Sequence, residues 1–476
     1  MEKFYLTTTL PYVNADPHIG FAFEMVHADI IARYKRLRGF DVFFNTGTDE
    51  HGQKIADKAN SEGKDTQAYV DEYAAKFKTL RDTLGLSYTH FTRTTDPHHQ
   101  SAAQTFWKLC EAAGDIYKKQ YRVKYCVGCE LEKTDSELVD GRCPLHANAE
   151  LEIREEENYF FRFSKYGDAL LTLYAANPDF IVPASRANEI KAFVERGLED
   201  FSISRLKEKM SWGIPVPGDD THVMYVWFDA LINYISTTGW PEKADFDGYW
   251  PGVQIAGKDN LRQQSAMWQA MLMSAQLPTS NTIWIHGFIT SDGQKMSKSL
   301  GNVVDPLTIV SEYSTDALRY FLARHIHPFE DSDFTMERFK DAYNGNLANG
   351  LGNQISRVMK LAETHLVSPV AVTVEPLEEA FCAALDRFAI HEAMDIVFFH
   401  IQKGDEYIQS TEPFKRIKSE DEAVKAGAVA DIEKLVQHIY KIATHLSPFM
   451  PETAERIKDA IQRNKMPPAP LFLRKE

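Results

Sequence analysis

Four side chains able to ligate a soft divalent metal crowd into one short stretch: Cys126-x2-Cys129, thirteen residues, then Cys143-x2-His146. Two chelating pairs of this kind suit tetrahedral Zn(II), and four protein ligands leave no open position for a reactive water, so the spacing predicts a structural zinc. Such an ion would staple a segment too small to build its own core. Cys110 and Cys382, the remaining two of five cysteines, read as buried thiols. Phosphate chemistry is suggested by two further stretches. Lys295-Met296-Ser297-Lys298-Ser299, followed by Leu300, Gly301 and Asn302, places two ammonium groups three residues apart after a strand, which makes an anion clamp. Pro17-His18-Ile19-Gly20 stands between a strand and a helix, where backbone N–H groups and the positive helix end can receive phosphate. Either stretch alone is an ordinary turn or surface loop; together, in this order and flanking one split sheet, they point to a nucleotide.

The elements that must position these groups follow from hydrophobic periodicity. Tyr5 to Thr9 is short and β-prone, and Asn14, Asp16 and Pro17 then break the chain. A helix follows with Phe23, Val26, Ile30, Tyr34 and Leu37 on one face and Gly39 at its end. Val42 to Phe44 gives a second strand, and a right-handed βαβ crossover opens a parallel, doubly wound sheet. Later apolar strands are predicted at Val223 to Trp227, Val253 to Ala256 and Thr282 to Ile285, separated by helical stretches such as Leu261 to Ser274.

The fold class expected is therefore α/β: a Rossmann-type sheet split by an insertion that carries the cysteine cluster, followed by an α-helical bundle from about Asp305. Pro413, Pro448 and Pro451 break the bundle's helices, and Lys465 to Glu476 reads as a surface-draped tail. The expected division is 1–115 for the first half of the sheet domain, 116–222 for the insertion and 223–290 for the second half. A linking region with the lysine loop follows at 291–343, and the helical domain at 344–476.

The 476 residues are 44% hydrophobic, enough for two to four domains with substantial cores. A formal net charge of −15 argues against non-specific coating of nucleic acid, so any RNA partner must meet a local basic patch. No run of about 18 apolar residues occurs, and the N-terminus lacks the order of a signal peptide. The expectation is a soluble cytoplasmic protein with no membrane partner.

The two phosphate-type stretches resemble the two signature sequences of class I aminoacyl-tRNA synthetases, with Lys295–Ser299 matching the second unchanged, and the resemblance covers nearly the whole chain. Within that class, several further stretches are similar to the methionyl-tRNA synthetase family. They are Leu10-Pro11-Tyr12, Thr48-Asp49-Glu50-His51-Gly52, Trp227-Phe228-Asp229-Ala230 with Tyr234, Gly257-Lys258-Asp259, the zinc knuckle and Pro448 to Thr453.

The resemblance implies a ligase that activates L-methionine with ATP and Mg(II), then esterifies it onto initiator and elongator methionine tRNAs. It implies that His18 and the helix start at Gly20 hold phosphates, that Lys298 helped by Lys295 closes over pyrophosphate, and that Glu24, Asp259 and the backbone at Ile289 border the nucleotide. Asp49 would anchor the amino acid's ammonium group, with Leu10, Tyr12, Trp227, Ala230, Tyr234 and Gln264 lining the side-chain pocket. Asn353 and Arg357, spaced i to i+4 on one helix face, match anticodon-reading positions, and Phe414 stands where the family usually presents a tryptophan for stacking. The knuckle would lie over the acceptor end of the tRNA.

Two departures stand out. Phe21 replaces a second histidine, removing a donor toward developing phosphate charge worth roughly 3 kcal/mol if nothing replaces it. Gln263-Gln264 replaces an aromatic followed by a histidine beside the methionine side chain, and Gln264 can both donate and accept. The chain ends soon after the bundle, so a monomer is expected. Two competing readings are a class I enzyme for another amino acid such as cysteine, leucine or valine, and a non-catalytic tRNA-binding paralogue. Leucine and valine enzymes need an editing insertion larger than the hundred or so residues between the sheet halves. A cysteine enzyme scatters its zinc ligands through the fold, and a pure binder needs none of the charges at His18, Glu24, Asp49, Asp259 and the loop lysines.

Overall fold

Six parallel strands form the central sheet, in the order His90–Arg93, Asp41–Thr48, Lys3–Thr7, Val253–Gly257, Thr282–His286 and Ile181–Val182. The computed structural model describes residues 1–14, 16–129, 131–133, 137–242, 245–296 and 302–476. Leu6, Phe43, Phe44, Ile255, Ile283 and Ile285 are buried, as strands covered on both faces require. Lys3–Thr7 pairs on one side with the strand that follows it and on the other with a strand some 250 residues later. The chain winds outward in both directions from this pair, and a doubly wound sheet binds its ligands outside the strand ends at that switch point.

The first helix, Ile19–Leu37, ends as expected, with Gly39 at φ +88°. Its burial is wider than one stripe: Phe23, Val26, Ile30 and Tyr34 are buried, but so are Ala22, Ala28 and Ala32, while Leu37 is exposed. The reason is a second layer. Helices Thr315–Arg324 and Glu379–Asp386 lie on the side away from the sheet, and Phe381 meets Tyr34 edge to face.

One strand expected from the sequence is placed differently. Val223 to Trp227 is not a strand of the parallel sheet. The strand is Asp219–Met224, antiparallel to Ser204–Leu206 and Pro215–Val216 in a separate small sheet, and Val226–Ala230 is a short helix. The apolar run reflects burial beneath the cleft described below, where Asp229 must turn inward. The sixth strand of the main sheet, Ile181–Val182, was not foreseen, since two residues are too few to show any periodicity.

Much of the insertion is a long hairpin in which Ile116–Cys126 pairs antiparallel with Glu152–Phe161, and the cysteine cluster sits at its tip. After the sheet come Asn353–His365, Ile390–Thr411, Glu422–Leu446 and Pro451–Arg463, the long helices of the bundle. The segment Tyr343–Gly352 joins Met336–Ala342 to Asn353–His365 as one helical run with wider π-type turns. The terminal segment is draped over the surface as expected, and it is anchored there: Leu471 and Phe472 are buried, Tyr343 Oη donates to the Leu473 carbonyl (2.9 Å), and Asn344 bonds Lys475. An apolar pair beside three prolines explains the anchor, because the prolines set direction while the side chains seek the core. Cys110 is buried as expected, whereas Cys382 is only partly so.

Sheet and bundle share one apolar core, running from Leu6 and Ile30 through Phe321 and Ile355 to Leu446 and Phe472. A fully buried ion pair pins them: Arg319 meets Asp29 on the first helix at 2.8 Å. The same guanidinium donates to the carbonyls of Leu84, Pro448 and Phe449 at 2.7 to 3.0 Å. Burial alone would raise the Asp29 carboxyl, but Arg319 and Arg33 outweigh it and hold the pKa below the ordinary carboxylate value. Removing one partner of such a pair strands a buried charge at a cost of about 3–5 kcal/mol. Arg319→Met should therefore lower the unfolding free energy by about that amount, and adding Asp29→Asn should recover part of it in chemical-denaturation curves; strictly additive losses would contradict the pairing.

Candidate active site

A cleft of about 390 Å³ opens at the switch point. The structure brings to it all seven residues expected to hold the amino acid: Leu10, Tyr12, Asp49, Trp227, Ala230, Tyr234 and Gln264. Asp259, expected on the nucleotide side, also lines it, as do Phe21 and Phe288. Asp49 is buried and fixed by main chain, since its N–H donates to the Pro11 carbonyl (2.9 Å) and its carbonyl accepts from the Val13 N–H (3.3 Å). The bridge Tyr12 to Asp49 thus extends the parallel pairing of the first two strands into the cleft floor.

What aims Trp227 and Ala230 was invisible in the sequence pattern. Asp229, on the same short helix, is fully buried and bridges two histidines, with His51 Nδ1 at 2.6 Å and His99 Nε2 at 2.7 Å. His99 Nδ1 in turn meets Ser236 Oγ at 2.9 Å. One carboxylate therefore ties the helix Val226–Ala230 to the loop after the second strand and to the helix Pro97–Ala112. Neighbouring Glu50 plays a parallel part. Arg93 clasps both its oxygens (2.7 and 2.8 Å), and Thr48 and Thr95 donate to them. The motif Thr48 to Gly52 was legible as a motif, but only Asp49 faces the cleft; Glu50 and His51 hold it there.

At the nucleotide side, His18 caps the first helix, and its Nδ1 accepts from the Gly20 N–H at 3.1 Å. A neutral ring in that tautomer carries its proton on Nε2. A Cβ on residue 20 would lie 2.9 Å from His18 Cε1, so glycine lets the ring fold onto the helix end. Phe21 stacks at a tilt against His18 (5.1 Å between centroids) and meets Phe77 edge to face (5.5 Å), which gives the missing histidine's place to packing. Glu24 is buried: Oε1 accepts from the main-chain N–H and hydroxyl of Thr9 (2.8 and 2.7 Å), and Oε2 pairs with His286 Nε2 at 2.9 Å. Burial alone would lower the His286 pKa, but the bond to Glu24 outweighs it and raises it. Thr9 lines the cleft, so Glu24 acts one bond behind its surface. Ile289 is buried in Ile289–Ser291, whose partner strands are Gln294–Lys295 and Ser332–Phe334. Lys295 is placed by that hairpin through pairing with Thr290. Lys298 lies outside the described residues.

Cys126, Cys129, Cys143 and His146 bring their ligand atoms within 4.8 Å of one another. Cys129 Sγ is 3.4 Å from Cys143 Sγ and 3.2 Å from His146 Nδ1, separations that fit a single tetrahedral ion. Gly128 is required here, since a Cβ would come within 2.4 Å of the His146 ring. The cluster stands at the cleft itself: Gly128, Cys129, Leu145 and His146 all line it, and Lys54 Nζ donates to the Gly128 carbonyl at 2.7 Å. Asn353 and Arg357 lie on the outer face of the helix Asn353–His365, with Arg357 3.7 Å from Asp405. Phe414 is exposed on the short helix Pro413–Arg416; all three belong to the bundle and none lines the cleft.

The family model for class I tRNA synthetases (M) matches residues 4–151 and 145–359. A methionine–tRNA ligase of Thermosynechococcus vestitus is 42% identical over 95% of this chain and 89% of its own length. One of Thermotoga maritima is 40% identical over 96% and 74%. Among solved structures, methionyl-tRNA synthetase of Mycobacterium tuberculosis in complex with methionyl-adenylate superposes with a TM-score of 0.93 at 36% identity, covering all of both chains. The apo form from the same organism gives 0.85 at 32% identity, covering 100% of this chain and 99% of that one.

Asp229 carries a pH signature. Burial alone would raise its pKa, but His51 and His99 outweigh it and bring it from 3.8 to about 2. A carboxyl depressed in the folded state adds stability above its unfolded value and loses it as pH falls toward the folded one. At about 1.4 kcal/mol per pKa unit this is about 2 kcal/mol. Asp229→Asn should be less stable by that order at neutral pH, with the gap closing between about pH 4 and pH 2 in urea melts; a constant gap across that window would argue against the histidine pairing.

Proposed function

The chain belongs to the methionine–tRNA ligase family of class I tRNA synthetases, and from that premise we propose how its cleft divides the work of activating methionine with ATP and passing it to the 3′ end of methionine tRNA. The observation that carries the reading is convergence: seven residues scattered from Leu10 to Gln264 meet in one cleft at the switch point of a nucleotide-type sheet. Activation is attack by the amino acid's carboxylate on the α-phosphorus of ATP, with pyrophosphate leaving. Charge grows on the phosphates, so orientation and electrostatic stabilisation do most of the work.

Asp49 supplies a fixed carboxylate for the ammonium group of methionine. Leu10, Tyr12, Trp227, Ala230, Tyr234 and Gln264 surround a flexible, polarizable side chain with aromatic and apolar walls. His18 and the helix N-terminus at Gly20 receive phosphate, with the His18 Nε2 proton as a donor. Lys295 and Lys298 close over the leaving pyrophosphate, Asp259 accepts from the ribose, and the backbone at Ile289 borders adenine. Glu24 holds Thr9 and His286 in place for that nucleotide. A non-catalytic binder has no use for a buried carboxylate in the cleft.

The Cys126–His146 cluster holds Zn(II), and the bound ion supplies structural cross-linking at the hairpin tip. Mg(II) arrives with ATP, bound mainly by the nucleotide's phosphates. The helical domain at 344–476 reads the anticodon of initiator and elongator tRNA through Asn353, Arg357 and Phe414, while residues 1–115 and 223–290 perform activation. The insertion at 116–222 meets the acceptor end, and 291–343 links the two. No described helix is long and apolar enough to cross a membrane. A thiolate metal cluster is at home in a reducing compartment, which supports a cytoplasmic enzyme working beside its tRNA.

Amino-acid-dependent ATP–pyrophosphate exchange, run with each of the twenty amino acids, should respond to methionine alone. Asp49→Asn should lower kcat/KM for methionine by about tenfold to a hundredfold, the worth of a hydrogen bond to a charged group. Exchange with another amino acid would sink the pocket assignment. Metal analysis should return one zinc per chain, reduced in Cys143→Ser; a chain that is metal-free yet equally stable would remove the structural zinc.

A further inference from the structure

Behind Tyr234 the cleft wall is a chain of carboxamides whose polarity is set at a distance. Gln269 is held at both ends by main chain: the Ser280 N–H donates to its Oε1 (3.0 Å), and its Nε2 donates to the Gln264 carbonyl (2.9 Å). A backbone N–H can only donate and a carbonyl only accept, so this amide has one permitted sense. Its Nε2 also donates to Ser280 Oγ at 3.0 Å, and the Ser280 hydroxyl donates to Gln254 Oε1. Gln254 thereby presents Nε2 to Gln264 Oε1 (3.1 Å), and Gln264 presents Nε2 to the Tyr234 hydroxyl (2.7 Å). All five side chains are buried, so each misplaced donor or acceptor would be costly.

The end of the chain is the consequence. Tyr234 Oη accepts, and its own proton must be donated elsewhere, from a residue that lines the cleft. Turning Gln254 and Gln264 over together would let Tyr234 donate inward to Gln264 Oε1, but the Ser280 hydroxyl would then lose Gln254 Oε1 as its acceptor. We propose that Gln254 and Ser280 are positioning residues that set the Tyr234 hydroxyl to donate into the cleft, where it favours a thioether over a methylene of similar size. Sulfur is a weak acceptor and a methylene is none. This deepens the reading of the cleft as the methionine site and rests on it. It also gives Gln264 a task that a neutral, non-titrating amide performs at any pH.

The test is exchange kinetics with methionine and with norleucine, in which a methylene replaces the sulfur. Ser280→Ala should lower the methionine-to-norleucine ratio of kcat/KM by about threefold, the low end for a neutral hydrogen bond, and Gln254→Leu should do the same. Tyr234→Phe should lower the ratio at least as far, and adding Ser280→Ala to it should change the ratio no further. An unchanged ratio in Ser280→Ala overturns the proposal. So does an equal loss on both substrates, which is what a merely structural role produces, or a further fall of the ratio in the Tyr234→Phe background. Wild-type protein that does not activate methionine would instead overturn the reading of the cleft on which the proposal rests.

Discussion

A charge taken out of water costs several kcal/mol unless a partner meets it in good geometry, and this protein buries charges where distant parts of its chain must meet. Asp29 is answered by Arg319, which also fastens the carbonyls of Pro448 and Phe449 and so binds the bundle to the first helix. Asp229 is answered by His51 and His99, Glu50 by Arg93, and Glu24 by His286. Each pair joins elements far apart in sequence, and each lies one layer behind a cleft residue or a domain junction. The bonds are satisfied only when the two halves of the sheet domain and the bundle stand in one relation, so the cleft inherits its precision from them.

The same logic explains why a split sheet can work as one site. Lys3–Thr7 hydrogen-bonds to Val253–Gly257 across the insertion, and the first strand's loop carries Leu10 and Tyr12 while the second strand's far side carries Asp259 and Gln264. The insertion is no bystander. Its edge strand Ile181–Val182 completes the sheet, and the cysteine cluster at its hairpin tip forms part of the cleft rim. A metal held by that tip would couple the integrity of the knuckle to the shape of the cleft opening.

Where the chain departs from its family's pattern, packing and hydrogen bonding occupy the two positions. Phe21 lies between His18 and Phe77, and steadies the helix start by contact. Gln264 stands at the end of an amide chain anchored on main chain, which sets direction without a titrating ring. Both substitutions exchange an imidazole, whose donor and acceptor roles change with protonation, for a group whose role is constant.

Local chemistry was legible without coordinates. The cysteine–histidine cluster, the helix start at His18 to Gly20, the first crossover, the split sheet and the helical final third each depend on residue type and short-range spacing, which a linear sequence records directly. The seven residues expected at the amino-acid site came from motif resemblance, and the fold collects all of them in one cleft. Hidden in the sequence were Asp229 between its histidines, the two-residue strand Ile181–Val182, the antiparallel placement of Asp219–Met224, and the anchored terminus at Phe472. Each of these depends on a partner brought close only by folding, and neither periodicity nor propensity encodes which distant carbonyl, imidazole or apolar surface will be there. Residue types determined what chemistry this protein can do; tertiary packing decided which of those residues face the cleft and which stand behind to hold them.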